Sequence, residues 1–111
     1  MCIRDRYNIA DAYYNGEGVP QDYKEAVKWY TKSAEQGHAM GQAMVGVCYA
    51  DGVGVAKNPI EGYAWYNIAI ANGFKEAKEL IKEIELSPEQ LIEAQSLSTE
   101  IQKRIEANKK N

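Results

Sequence analysis

The chain has 111 residues, enough for one compact unit that buries roughly two thirds of its unfolded surface. Apolar residues make up 45% and charged residues 26%, and no run approaches the ~20 apolar residues of a membrane span. Thirteen Lys and Arg against sixteen Asp and Glu give a net charge of −3, which argues against a nucleic-acid partner.

Met1 to Arg6 (MCIRDR) is set apart from the rest. It back-translates as ATG TGT ATA AGA GAC AG plus one base, a string that resembles a transposon-end adapter used in preparing sequencing libraries. Two readings stand: a scar to be excluded from fold reasoning, or a natural start with a short polar first turn. The first is preferred, and residues 1–6 are then the scar. It leaves the upstream repeats and any signal peptide unseen. The compartment stays open among bacterial cytoplasm, periplasm and secretion. It also leaves Cys48 as the single cysteine, read as a small buried hydrophobe between Val47 and Tyr49. Nothing has zinc-ligand spacing.

From Tyr7 the chain reads as helix, glycine loop, helix, twice over. The first loop is Asn15-Gly16-Glu17-Gly18-Val19-Pro20, and Asp22 caps the helix that follows. That helix carries Ala26, Trp29, Tyr30 and Ser33 on one face and ends at Gly37. The next helix runs from about Ala39 to Ala50, with Gly41, Val45, Cys48 and Tyr49 at helical spacing. A second glycine loop follows, Asp51-Gly52-Val53-Gly54-Val55, whose glycines permit positive φ or close helix approach. Asn58 then caps a helix with Pro59 in its first position, where the missing N–H costs nothing. Gly62, Trp65, Tyr66 and Ala69 repeat the earlier face, and Gly73 repeats the earlier stop.

A shift of 36 residues brings these copies into register. Tyr13, Gly16, Gly18, Val19, Glu25, Trp29, Tyr30 and Gly37 all meet their own kind. That is eight identities over the 36 pairs from Asp11 to Gly46, where ordinary composition gives about two. Such a period means stacked supersecondary units.

After Gly73 the pattern departs. Phe74 to about Ile84 is predicted as a helix carrying Ala77, Leu80, Ile81 and Ile84, but Glu85 stands in the repeat's tyrosine position. Ser87-Pro88-Glu89-Gln90 is a helix start, with Ser as cap, Pro first and Gln third. The last helix runs to about Ala107, with Leu91, Ile92, Ala94, Gln95, Leu97, Ser98, Ile101 and Ile105 covering one side. It reads as a terminal cap, and as a stand-in for the second half of a third unit. The bases Lys103, Arg104, Lys109 and Lys110, interleaved with Glu100 and Glu106, read as a solvated, frayed helix end.

The segment Tyr7-Asn8-Ile9-Ala10-x-x-Tyr13-x-x-Gly16-x-Gly18-Val19-x-Gln21-Asp22-Tyr23-x-x-Ala26-x-x-Trp29-Tyr30 resembles a Sel-one-like repeat, a relative of the tetratricopeptide repeat. Ala34-Glu35-Gln36-Gly37-His38-Ala39 is similar to that family's inter-repeat junction. Gly62 to Ala69 resembles its usual last repeat, and Ser87 to Gln90 the common ending of bacterial members. The resemblance implies an all-α fold: a right-handed α/α superhelical solenoid of antiparallel helix pairs with a C-terminal capping helix. Repeats would span residues 7–86, about two and a half with the first truncated, and the cap residues 87–111. The family usually has alanine at Gly41 and leucine at Val45, so looser helix packing is expected at both. The resemblance also implies an adaptor or scaffold that binds other proteins.

In such a solenoid the first helix of each pair lines the curved inner surface. With Gly41, Val45 and Tyr49 toward the core, the neighbouring stripe is Met40, Met44, Val47 and Asp51. One repeat earlier it is Asn8, Asp11 and Asn15. These seven residues are the candidate groove for a protein or peptide partner, methionine being an adaptable contact. The competing reading has Met40 and Met44 filling gaps between helix pairs. His38 reads as a turn residue, and Trp29, Tyr30, Trp65 and Tyr66 as core wedges. The Gly-x-Gly loops lack the Lys-Ser/Thr of a phosphate cradle. No catalytic, cofactor or metal residues are nominated.

The expected function is therefore a protein-interaction scaffold, not an enzyme. The alternative is a secreted β-lactam-binding or hydrolysing member of the family's cysteine-rich branch, whose repeats carry regularly spaced cysteine pairs. Those pairs are absent here. Self-association through the unpaired first helix is expected as well.

Overall fold

The computed structural model describes residues 3–109; Met1 and Cys2, from the segment read above as an adapter scar, Lys110 of the basic end, and Asn111 lie outside the described residues. Among the described residues six helices follow in order: α1 (Ile3–Asn15), α2 (Tyr23–Glu35), α3 (Ala39–Asp51), α4 (Pro59–Ala71), α5 (Ala77–Ile81) and α6 (Pro88–Lys109). No strand occurs among the described residues. Helices α1 and α2 form one antiparallel pair, α3 and α4 a second, and α2 packs on α3 to stack the pairs into a solenoid.

Local chemistry sets the helix ends where the sequence predicts them. The Asp22 carboxylate accepts from the backbone N–H groups of Lys24 and Glu25 at 3.1 and 3.2 Å. Asn58 accepts from the N–H of Glu61 at 3.1 Å. These caps satisfy helix-terminal donors that would otherwise lack partners. Both second helices stop on a left-handed glycine, Gly37 at φ 95° and Gly73 at φ 110°. At the first stop the N–H of His38 donates to the carbonyl of Ser33 and that of Gly37 to Ala34, the paired bonds of a Schellman turn. Phe74 and Gly73 repeat this with Ala69 and Ile70.

The core is continuous across the pairs. Ala10, Ala26, Tyr30, Val45, Cys48, Trp65 and Ile68 are buried in one cluster that also takes in Ile101 and Ile105 of α6. A smaller cluster of Ala43, Tyr66, Ala69 and Ala77 lies between α3, α4 and α5. The two tryptophans of the repeat differ. Trp65 is 2% exposed, whereas Trp29 is half-buried with the Lys32 ammonium 4.4 Å from its ring centroid. Trp65 shares its cluster with the isoleucines of α6, and Trp29 keeps a face to solvent. The wedge reading holds fully for Tyr30, Trp65 and Tyr66 and in part for Trp29.

Gly41 tightens the packing instead of loosening it. A Cβ there would stand 3.0 Å from the Ser33 hydroxyl oxygen and 3.2 Å from the Ala34 nitrogen, so α2 and α3 have closed onto the space. Val45 is fully buried. Beside them Gln42, also fully buried, donates to the Ala34 carbonyl at 3.1 Å and accepts from the Asn72 amide at 2.9 Å. Its carboxamide thereby joins α2, α3 and the end of α4, and a buried polar group so satisfied specifies the stacking.

Past Gly73 three expectations are corrected. The predicted helix from Phe74 to Ile84 shrinks to α5, flanked by turns in which Ala77, Lys78, Glu83 and Ile84 donate to carbonyls three residues back. The apolar positions Ala77, Leu80, Ile81 and Ile84 still pack on the smaller cluster, but i+3 bonds replace the longer helix. Helix α6 does not pair with α5 as α4 does with α3. It packs on α4 and reaches across to α2, where Arg104 pairs with Glu35 at 3.1 Å and Asn108 donates to the Glu35 carbonyl. It stays helical through Lys109. Its inward face is Ala94, Ile101 and Ile105, which are buried, with Leu97 and Ser98 half-buried, while Gln95 is exposed and Ile92 is 69% exposed. The predicted capping box is present: Ser87 N–H donates to the Gln90 side chain and Gln90 N–H to the Ser87 hydroxyl.

Candidate functional site

The first helices carry the predicted stripe, and the structure divides it into three parts. Asn8 and Asn15 are exposed on α1. Asp11, between them, is half-buried and accepts a hydrogen bond from the Tyr30 hydroxyl. Its carboxylate is thus committed to holding α1 on α2. Burial first, and then that bond and the Asp11 charge, push the Tyr30 phenol far above its ordinary range.

On α3, Met40 is 45% exposed and open to a partner. Met44 is half-buried against the main core cluster, which is the gap-filling role weighed against a groove role. Val47 instead leans on the second cluster, and with exposed Asp51 it borders a cleft closed on its other sides by α4 and the α5 segment. The stripe therefore presents two amides and a flexible thioether along its length, then an apolar, acidic end. Such a set can hold a peptide backbone and side chains.

Helix α3 explains why periodicity alone leaves this face ambiguous. Gly41, Gln42, Ala43, Val45, Gly46 and Cys48 are all buried, nearly all the way round. A Cβ on Gly46 would come within 2.6 Å of the Tyr66 ring, and one on Gly62 opposite would stand 3.0 Å from the Gly46 carbonyl oxygen. Close approach at this glycine pair brings α4 against α3 and sets the back wall of the cleft. His38, half-buried at the start of α3, packs edge-on against the Tyr7 ring at 4.9 Å between centroids, a joint between repeats. Cys48 is fully buried, and burial ahead of the Asp51 charge pushes its thiol up to about 11, so it stays protonated at neutral pH.

A larger groove of about 650 Å³ lies between α4 and α6 and was not anticipated from the sequence. Asn67, Ile68 and Ala71 form one wall, and Ser98, Thr99 and Gln102 the other. The Ser98 hydroxyl donates to the Ala94 carbonyl at 2.9 Å and lies 3.3 Å from that of Ala64, pinning α6 to α4. The only signal for it in the sequence is the run of small polar residues on α6 facing Asn67. Among the described residues no group of three or more His, Cys, Asp or Glu is placed to hold a metal ion. No helix of the described chain is long and apolar enough to cross a membrane.

Comparison with known proteins places these features in context. The profile of the Sel1 repeat matches residues 6–38 and 39–74. Chitin synthase regulatory factor 3 of Schizosaccharomyces pombe is 39% identical over 75 residues, which are 67% of this chain and 8% of that protein. A protective antigen of uropathogenic Escherichia coli strains, described as displaying an SLR fold, superposes with a TM-score of 0.86 at 28% identity. That match covers 94% of this chain and 23% of the antigen. A Sel1 repeat protein from Oxalobacter formigenes gives 0.71 at 32% identity, over 74% of this chain and 62% of the other. The chain thus spans a small part of the first relatives it matches.

Proposed function

Since the chain belongs to the Sel1 repeat family, we propose that it is a protein-binding scaffold module that receives its partner on the first-helix face. The observation that carries this reading is the composition of that face. Asn8, Asn15, Met40, Val47 and Asp51 are held by rigid helix pairs and keep polar or adaptable groups at the surface, where a peptide's own backbone and side chains can use them. Asp11 and Met44 support the face from beneath. A non-catalytic role fits the way Cys48 and the recurring aromatic residues Tyr30, Trp65 and Tyr66 are spent on packing. It also fits the regulatory function named for the fission-yeast relative. The β-lactam reading lacks its defining feature, since Cys48 is buried and unpaired.

The test is site-specific photocrosslinking in extracts of the source cells. A benzophenone side chain at position 40 or 47 is expected to trap the same partner, while one at position 99 on α6 traps none. Crosslinks formed from position 99 alone would sink the reading. Turnover of a chromogenic cephalosporin, abolished by substituting a groove residue, would restore the enzyme alternative.

A further inference from the structure

Where the repeat pattern breaks after Gly73, a cleft of about 350 Å³ opens at the Val47–Asp51 end of the stripe. Its floor is apolar: Val47 and Ala50 from α3, Leu80 and Ile84 from the α5 segment. Its rim is acidic, with Asp51, Glu83 and Glu85 against Lys57 alone. All three carboxylates are exposed and none is in an ion pair within the described residues. Helix α3 ends at Asp51, so the partial negative charge of its C-terminus adds to the same field.

Tyr66 supplies the second, independent observation. One repeat earlier its counterpart Tyr30 donates to Asp11. The residue 36 positions after Asp11 is Val47, which has no side-chain acceptor. Tyr66 is 3% exposed, lines the cleft, and its hydroxyl makes no hydrogen bond among the described residues. Burial first, then the charges of Asp51 and Glu83, raise its phenol well above the ordinary value, so the group stays neutral with oxygen lone pairs to offer.

We propose that this cleft is the docking point for a basic segment of the partner protein. One Lys or Arg side chain is taken among Asp51, Glu83 and Glu85 and the Tyr66 hydroxyl, and a neighbouring apolar side chain rests on Val47, Ala50, Leu80 and Ile84. The commitment to a cation follows from charge complementarity, three unpaired carboxylates and a helix C-terminus facing one lysine. The apolar half follows from the floor, which charge alone does not use. This inference rests on the protein-binding reading above and narrows it to one end of the stripe.

The experiment is a fluorescence-anisotropy titration with two labelled peptides, one of alternating Arg and Leu, its twin with Glu for every Arg. The Arg peptide is expected to bind saturably and to weaken with added salt, while the Glu peptide does not bind. The double variant Glu83→Gln/Glu85→Gln, altered only at exposed positions, is expected to bind the Arg peptide roughly fivefold more weakly. Tyr66→Phe, which keeps the buried ring, also weakens it, and Thr99→Ala, at an exposed position on α6, leaves it unchanged. Equal binding of the two peptides, no binding of the Arg peptide, or unchanged binding by the double variant would overturn the inference. Each of those results leaves the crosslinks from position 40 standing, whereas loss of those crosslinks strikes the broader reading whatever the peptides do.

Discussion

Gly18 and Gly54 occupy the same place in successive repeats and share a left-handed backbone, with φ of 78° and 76°. Their surroundings differ. A Cβ on Gly18 would meet nothing within 4 Å, but one on Gly54 would lie 2.5 Å from the Tyr23 carbonyl oxygen and 2.9 Å from Val27. The second loop is therefore pressed against the start of α2, and its glycine is needed for space as well as for φ. Gly18→Ala is expected to cost about 1–2 kcal/mol from the left-handed conformation alone. Gly54→Ala adds the overlap with fixed backbone, on the order of a further 2 kcal/mol or more. Urea denaturation of both variants measures the difference, and equal losses would mean that the loop does not press on α2. Sequence identity made both residues visible as loop glycines. It could not separate them, because the distinction lies in a neighbour 31 residues away in the chain.

Among the elements, those governed by their own residues were readable in advance and those governed by a partner were not. Asp22, Asn58, Ser87 and the glycines at 37 and 73 act within one turn of their own helix, so the caps stand where the sequence puts them. Helix α5 and the facing of α6 depend on what each packs against. The α6 sequence has apolar residues at 91, 92, 94, 97, 101 and 105, a band wider than one contact face. Only its approach to α4 and α2 selects Ala94, Leu97, Ile101 and Ile105. The candidate groove was legible to a similar degree. Placing it on the first helices needed only the repeat, whereas the split between Met44 inward and Met40 outward required the stacked pairs. Ile105→Ala is expected to destabilise the protein by about 2–5 kcal/mol, and Ile92→Ala by less than about 0.5 kcal/mol. Comparable losses from the two would place α6 in a different rotation.

At the scale of the whole molecule, 43 × 32 × 22 Å, stability comes from each pair burying the face of the next. The two first helices show what that stacking does. On α3, Val45 and Cys48 are fully buried because α2 lies against that side. The equivalent residues on α1 are Ile9 and Ala12, both only half-buried, and Asp5 is exposed where its counterpart Gly41 is buried. With the open space beside Gly18, Ile9 and Ala12 form a small apolar strip, bordered by the Asp5 carboxylate, at the place where α3 is buried. A strip of that kind gains by pairing, through removal of apolar area from water. The chain alone is therefore expected to self-associate through α1. Light scattering across a concentration series should show the average mass climbing above 12.4 kDa, and Ile9→Gln should hold it there. Ile9 is half-exposed, so the substitution leaves the α1–α2 contact in place, and unchanged helical content by circular dichroism would establish that the fold persists. A monomer at every concentration would mean that the strip is too small to pair with itself, and that the energy of stacking resides in the second helix of each pair.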